Sequence, residues 1–136
     1  VATYEKYYAK KQTPYTPSIP HLFGLKKVLE IIFDEGLEAR WQRHKDMASF
    51  VQNWALRMGQ SLYADEGFRS DTVTSINNDM GWDINTINDS LLSKGFRMDR
   101  GYGDLKGKVF RIPHMGNIFM EDLEEYLKVF EECINE

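Results

Sequence analysis

"GYGDLKGKVFRIPHMGN", residues Gly101 to Asn117, sets a strand-like run between two glycine fences. Val109, Phe110 and Ile112 suit a pleated, half-covered surface, and the glycines mark its turns. Arg111 interrupts the run. A guanidinium keeps its proton at any ordinary pH, so in dry surroundings it must meet a carboxylate, a phosphate or several carbonyls. The residues alone allow three placements: an edge-strand arginine facing solvent, an internal ion pair with a carboxylate such as Asp99, or a bidentate fork for a carboxylate ligand.

Working outward, "FRMD" (96–99) reads as the strand before this one, joined to "KVFRI" by the glycine-rich "RGYGDLKGK" as a hairpin connection. Further upstream the period also falls towards two, in "SLYA" (61–64) and in "DTVTSINN" (71–78), where Val73 and Ile76 stand among β-branched threonines. Helical spacing governs the rest. Leu22, Leu25, Leu29 and Ile32 recur at three and four residues until Gly36, and Leu37, Trp41, Met47, Phe50, Val51, Trp54 and Met58 form the apolar face of a longer helix closed by Gly59. "GWDINTINDSLLSKG" has Asp83 as N-cap, Ile84, Ile87, Leu91 and Leu92 as the buried stripe and Gly95 as the stop. In "FMEDLEEYLKVFEECI" Leu123, Leu127 and Phe130 point inward. Neighbouring strands with helices before and after predict the α+β class: an antiparallel sheet of three to four strands with helices packed on one face.

With 136 residues, the chain is long enough for one domain with a real core. Residues 1–18 stand apart as an arm and linker, and 19–136 form the domain. The arm carries Tyr4, Tyr7 and Tyr8 beside Lys6, Lys10 and Lys11; the following "TPYTPSIP" (13–20), with Pro14, Pro17 and Pro20, forbids a regular helix there and holds the backbone extended. Net charge is −4, so no basic surplus exists to displace counterions from nucleic acid, and no apolar run is long enough to cross a bilayer. Cys133 stands alone, which excludes an internal disulfide and a cysteine-rich metal site and fits a reducing, cytoplasmic compartment. Its place in an apolar stripe reads as packing. The opening "VATYEKYYAKK" has no initiator Met and no signal-peptide core, and the chain reads as part of something longer.

Most chemical motifs are absent. "GYGDLKG" fits neither the dinucleotide fingerprint nor the triphosphate loop. His44, on the polar side of a helix, reads as solvated or capping; His114 follows Arg111 by three residues, but no histidine pair has metal-ligand spacing. No nucleophile with a base partner is recognisable.

"TPYTPSIP", then a helix into "EGLEARWQRH", then "GKVFRIPHMG", in this order and spacing, resemble the carboxy-terminal small domain of class V (fold-type I) pyridoxal-phosphate aminotransferases, in the alanine-glyoxylate and serine-glyoxylate (serine-pyruvate) group. The resemblance runs from about Thr13 to the last helix. It implies that Arg111 grips the substrate α-carboxylate, and that Thr16 reaches the cofactor phosphate in the neighbouring subunit's site, with Thr13 and Tyr15 flanking it. Pro113 departs from the family pattern, which usually has glycine there; it removes an amide donor and stiffens the turn.

The resemblance further implies pyridoxal 5'-phosphate as cofactor, the enzyme's own large domain and a second copy of the chain as partners, and amino acids and 2-oxo acids as substrates. In the family the lysine that holds the cofactor lies in the large domain, ahead of the prolyl segment. Lys10 and Lys11 are too close to the linker to be that residue, so the chain by itself is expected to be inactive and to hold no catalytic residue. A cysteine desulfurase of the same fold would need its cysteine in a mobile glycine- or serine-rich loop, unlike Cys133. A reading from another class is a free-standing interaction or ligand-binding module, with the Tyr4, Tyr7 and Tyr8 arm as its interface.

Overall fold

A computed structural model describes residues 1–135 and divides them into two compact units, Val1–Leu37 and the remainder from Glu38. The first unit contains α1 (Ala2–Tyr8), the prolyl segment and α2 (Ile19–Glu35). Pro20 stands in the first turn of α2, where its missing N–H removes no helical bond. Gly36 ends the helix at φ 85°, a backbone conformation that a side chain would strain. Although α2 is rich in Leu, Ile and Phe, it has no buried residue.

The second unit is built on α3 (Leu37–Arg57), β1 (Val73–Asn77), α4 (Ile84–Ser93), β2 (Val109–Pro113) and α5 (Met120–Ile134). Asp83 caps α4 as the sequence predicts, its carboxylate accepting the N–H groups of Asn85 and Thr86. The strands run antiparallel in one register, with Thr74 opposite Ile112, Ser75 opposite Arg111 and Ile76 opposite Phe110. Alternation puts Ile76, Phe110 and Ile112 on one face, where they join the core with Met47, Val51 and Trp54 of α3, Ile87 and Leu91 of α4, and Leu123, Leu127 and Phe130 of α5. Phe130 sits at the centre of an aromatic cluster. Its ring centroid lies 5.3 Å from that of Trp54, 5.7 Å from Phe110 and 6.0 Å from Trp82.

The sheet has two strands, where the sequence predicts three to four. Both extra segments are in place, but each pairs through a single bridge: Leu62 with Ile76, and Asp99 with Arg111. Side chains turn them away from longer pairing. The Asp79 carboxylate takes the Ser61 N–H at 2.7 Å immediately before the first bridge, and the Asp99 carboxylate takes the Gly101 N–H at 3.0 Å, curling the chain just after the second. The connection to β2 then forms a short 3₁₀ turn over Gly103–Leu105.

The helix faces also differ in detail. Leu92 is exposed, because the buried stripe of α4 runs through Ile84, Ile87, Asn88 and Leu91, and Leu92 falls roughly a quarter turn to one side of it. Leu37 and Trp41 of α3 are exposed because both lie ahead of His44, the first buried residue of that helix. His44 is buried rather than solvated, its Nδ1 2.6 Å from the Arg40 carbonyl one turn earlier. Cys133 is buried, as packing requires. Among the described residues no helix is long and apolar enough to cross a membrane, and no cluster of His, Cys, Asp or Glu could hold a metal ion.

Candidate functional site

Arg111 sits at the third position of β2, opposite Ser75 and on the sheet face away from Phe110 and Ile112. It therefore leaves the core. It does not point into open solvent, however, because its Nε donates to Asp99 Oδ1 at 2.9 Å and its Nη2 to Asp99 Oδ2 at 2.8 Å. This side-on, two-bonded pair is the internal partner that sequence reasoning weighed against a ligand. The pair is partly exposed, 37% for Arg111 and 26% for Asp99, so a guanidinium edge remains reachable. Tyr102 lies against it, with Cζ 4.8 Å from the ring centroid.

The backbone builds this pair. Asp99 and Arg111 form an antiparallel bridge, with the Arg111 N–H donating to the Asp99 carbonyl at 3.3 Å. Gly101 has φ 76°, and a Cβ there would stand 2.6 Å from the carbonyl oxygens of both Leu105 and Val109, so only glycine lets these strands approach. Hydrogen bonding from Arg111, and more weakly from Gly101, holds the Asp99 carboxyl below its ordinary range; the same bond from Asp99 raises Arg111.

A depression of about 490 Å³ adjoins the pair, lined by Arg97, Asp99, Arg100, Tyr102, Lys106 and Pro113 among others. Three cationic side chains stand there against one carboxylate, which favours a small anion. Arg100 is oriented by Asn85, to whose Oδ1 it donates at 2.9 Å.

Past Arg111 the strand ends on a proline that costs the sheet nothing. The Thr72 carbonyl takes the His114 N–H, so in this register the N–H at 113 would face away from β1. His114 is fully buried: Nδ1 lies 3.1 Å from the Asp71 carbonyl and Nε2 2.9 Å from the Thr74 hydroxyl. A carbonyl can only accept, so Nδ1 carries the proton and Nε2 accepts from Thr74. Burial, assisted by repulsion from His44, lowers the His114 pKa. The ring ties the end of β2 to the loop before β1, a structural task. Arg40 and Arg43 of α3 fix the segment that follows by donating to the carbonyls of Gly116 and Ile118.

Thr13, Tyr15 and Thr16 come together in the first unit, along a cavity of about 570 Å³ that Tyr4, Tyr8 and Pro17 also line. All three are on the extended prolyl segment and none of their hydroxyls is engaged by another described residue. Their hydroxyls can donate to phosphate oxygens, while Glu5 also lines that cavity and no lysine does. Sequence reasoning missed Tyr102 and Gly101 as parts of the Arg111 site. The signal was their position: a cis-facing pair twelve residues apart across a hairpin puts whatever lies in the turn beside the arginine.

No protein-family model matches the chain. It is similar to an uncharacterised aminotransferase of Methanocaldococcus jannaschii, 40% identical over 115 residues, covering 83% of this chain and 30% of that protein. The serine–glyoxylate aminotransferase of Methylorubrum extorquens is 34% identical over 107 residues, covering 77% of this chain and 27% of that one. Among solved structures, the alanine–glyoxylate aminotransferase of Nostoc sp. superposes with a TM-score of 0.81 at 26% identity, over 92% of this chain and 34% of that one. The chain thus spans under a third of the length of these two curated relatives. It belongs, over that span, to the carboxy-terminal portion of the class V aminotransferases, in the serine- and alanine-glyoxylate group.

Proposed function

We propose that the chain is the small, carboxylate-binding domain of a pyridoxal-phosphate-dependent aminotransferase. The full enzyme transfers an amino group between an amino acid of the alanine or serine type and a 2-oxo acid such as glyoxylate or pyruvate. The observation that carries this reading is Arg111: a guanidinium placed off the core face of the sheet, held in one orientation, still reachable and set beside a cationic depression.

Arg111 grips the α-carboxylate of the amino or oxo acid and so sets which Cα bond stands perpendicular to the cofactor ring, a positioning role. The bound cofactor supplies the electron sink for chemistry at Cα. Thr16, with Thr13 and Tyr15, donates hydroxyl hydrogen bonds to the cofactor phosphate of the neighbouring subunit in a cytoplasmic homodimer. The uncovered apolar residues of α2, such as Phe23, Leu25 and Phe33, are suited to packing on the enzyme's own large domain. The chain by itself holds neither the cofactor nor activity.

The test is Arg111→Ala in the full-length enzyme, assayed with amino acid and with oxo acid. Both half-reactions are expected to lose about 2 to 5 kcal/mol in kcat/KM, and Arg111→Lys to recover only part, because an ammonium cannot form two parallel bonds. An unaffected enzyme would remove Arg111 from the substrate site.

A further inference from the structure

We infer that Asp99 is a positioning residue for the ligand of Arg111: it fixes one edge of the guanidinium and leaves the other as the working fork. The inference rests on the carboxylate reading of Arg111 above. A guanidinium has two bidentate edges, Nε with Nη2 and Nη1 with Nη2, and five N–H donors in one plane. Asp99 takes the first edge, at 2.9 and 2.8 Å. The donors left over are on Nη1 and the far side of Nη2. Tyr102 lays its ring against the group and adds weak charge and hydrogen-bond pulls from its hydroxyl, and among the described residues no carboxylate other than Asp99 pairs with Arg111.

A carboxylate beside a carboxylate-binding arginine could instead be a competitor that the ligand displaces. The way Asp99 is held argues against that. Its backbone is bridged to Arg111, its Oδ1 accepts the Gly101 N–H at 3.0 Å, and Gly101 holds a φ of 76° in a space that has no room for a Cβ. Displacing Asp99 would break several bonds to exchange one carboxylate for another on the same edge. Leaving it in place lets the ligand meet an arginine whose rotamers are already restricted, so less freedom is lost on binding. The negative charge this brings to the site is outweighed by Arg97, Arg100 and Lys106 around the adjoining depression.

The experiment is Asp99→Asn in the full-length enzyme, beside Arg111→Ala. An Asn side chain can accept one of the two bonds but presents its amide N–H groups to the other donor. KM for amino acid and for oxo acid should rise about tenfold while kcat stays within about threefold, with Asp99→Glu falling between the two. In the 136-residue chain, the Arg111 Nε–H should exchange slowly with solvent and lose that protection in Asp99→Asn. If Asp99→Asn does not fold, Asp99→Glu carries the same comparison. An unchanged KM in the Asp99 variants with an impaired Arg111→Ala enzyme would overturn the positioning role and leave the carboxylate reading standing. A lowered KM would identify Asp99 as a competitor. An Arg111→Ala enzyme with unchanged KM would overturn both.

Discussion

Helices α2 and α5 are of similar length and both are rich in apolar residues, yet they meet opposite fates. Leu123, Leu127, Phe130 and Cys133 of α5 are buried, whereas α2 has no buried residue, and Leu22, Leu25 and Leu29 stand exposed on it. The difference lies in what each apolar stripe finds. The α5 stripe meets the aromatic side chains of α3 and β2 inside one unit, so its burial stabilises the fold directly. The α2 stripe finds no such cover among the described residues, so removing a side chain from it deletes little packing.

The sharpest way to break this contrast is a matched pair of truncations. Phe130→Ala should cost about 3 to 5 kcal/mol in urea unfolding, since it empties the centre of the aromatic cluster. Leu25→Ala should stay within about 0.5 kcal/mol. Equal losses would mean that α2 is packed in solution as firmly as α5. Next in size, Gly101→Ala should cost about 2 to 3 kcal/mol from the strained φ and the two carbonyl contacts, and should release the Asp99–Arg111 bridge as well. Amide exchange at Arg111 would report the release; an intact bridge would show that the turn yields more easily than its geometry implies.

A smaller effect is expected for Arg111→Ala in the chain itself, about 1 kcal/mol, because the pair is two-bonded but partly screened by solvent. This separates the arginine's structural share from the larger effect on substrate use proposed above. A loss of several kcal/mol would make the pair a fold element first. The mildest perturbation is pH. The folded pKa of His114 lies below the ordinary imidazole value of 6.5, so the unfolded chain binds the proton more readily. Its contribution is complete above about pH 6.5 and is lost as pH falls from there towards the folded pKa. In His114→Gln that part of the slope should vanish, which parallel melting curves would detect.

Much of this was written in the chain. The buried stripe of α5 and, but for Leu92, that of α4 follow from spacing, Asp83 and Gly36 mark helix ends, and the strand "KVFRI" with its misfit arginine is legible because a charge inside an apolar alternation has few explanations. What spacing could not decide was how far a strand continues pairing. "SLYA" and "FRMD" have strand composition, but the carboxylates of Asp79 and Asp99, which capture nearby backbone N–H groups, cut each to a single bridge.

For the site, the sequence by itself determined that Arg111 is a permanent charge inside an apolar run, and left solvent, an internal carboxylate such as Asp99 and a carboxylate ligand as its possible partners. Only the tertiary structure decided that both answers can hold together. A guanidinium has two forks, and the bridge across the hairpin assigns one of them to Asp99 while the side chain remains partly open. The pattern of a single strand cannot say which edge of an arginine is used, because that depends on a residue twelve positions away and on a glycine that lets two strands come close. Nor can it say whether the apolar face of α2 is buried: periodicity records that a helix has such a face, and the fold around it leaves this one exposed.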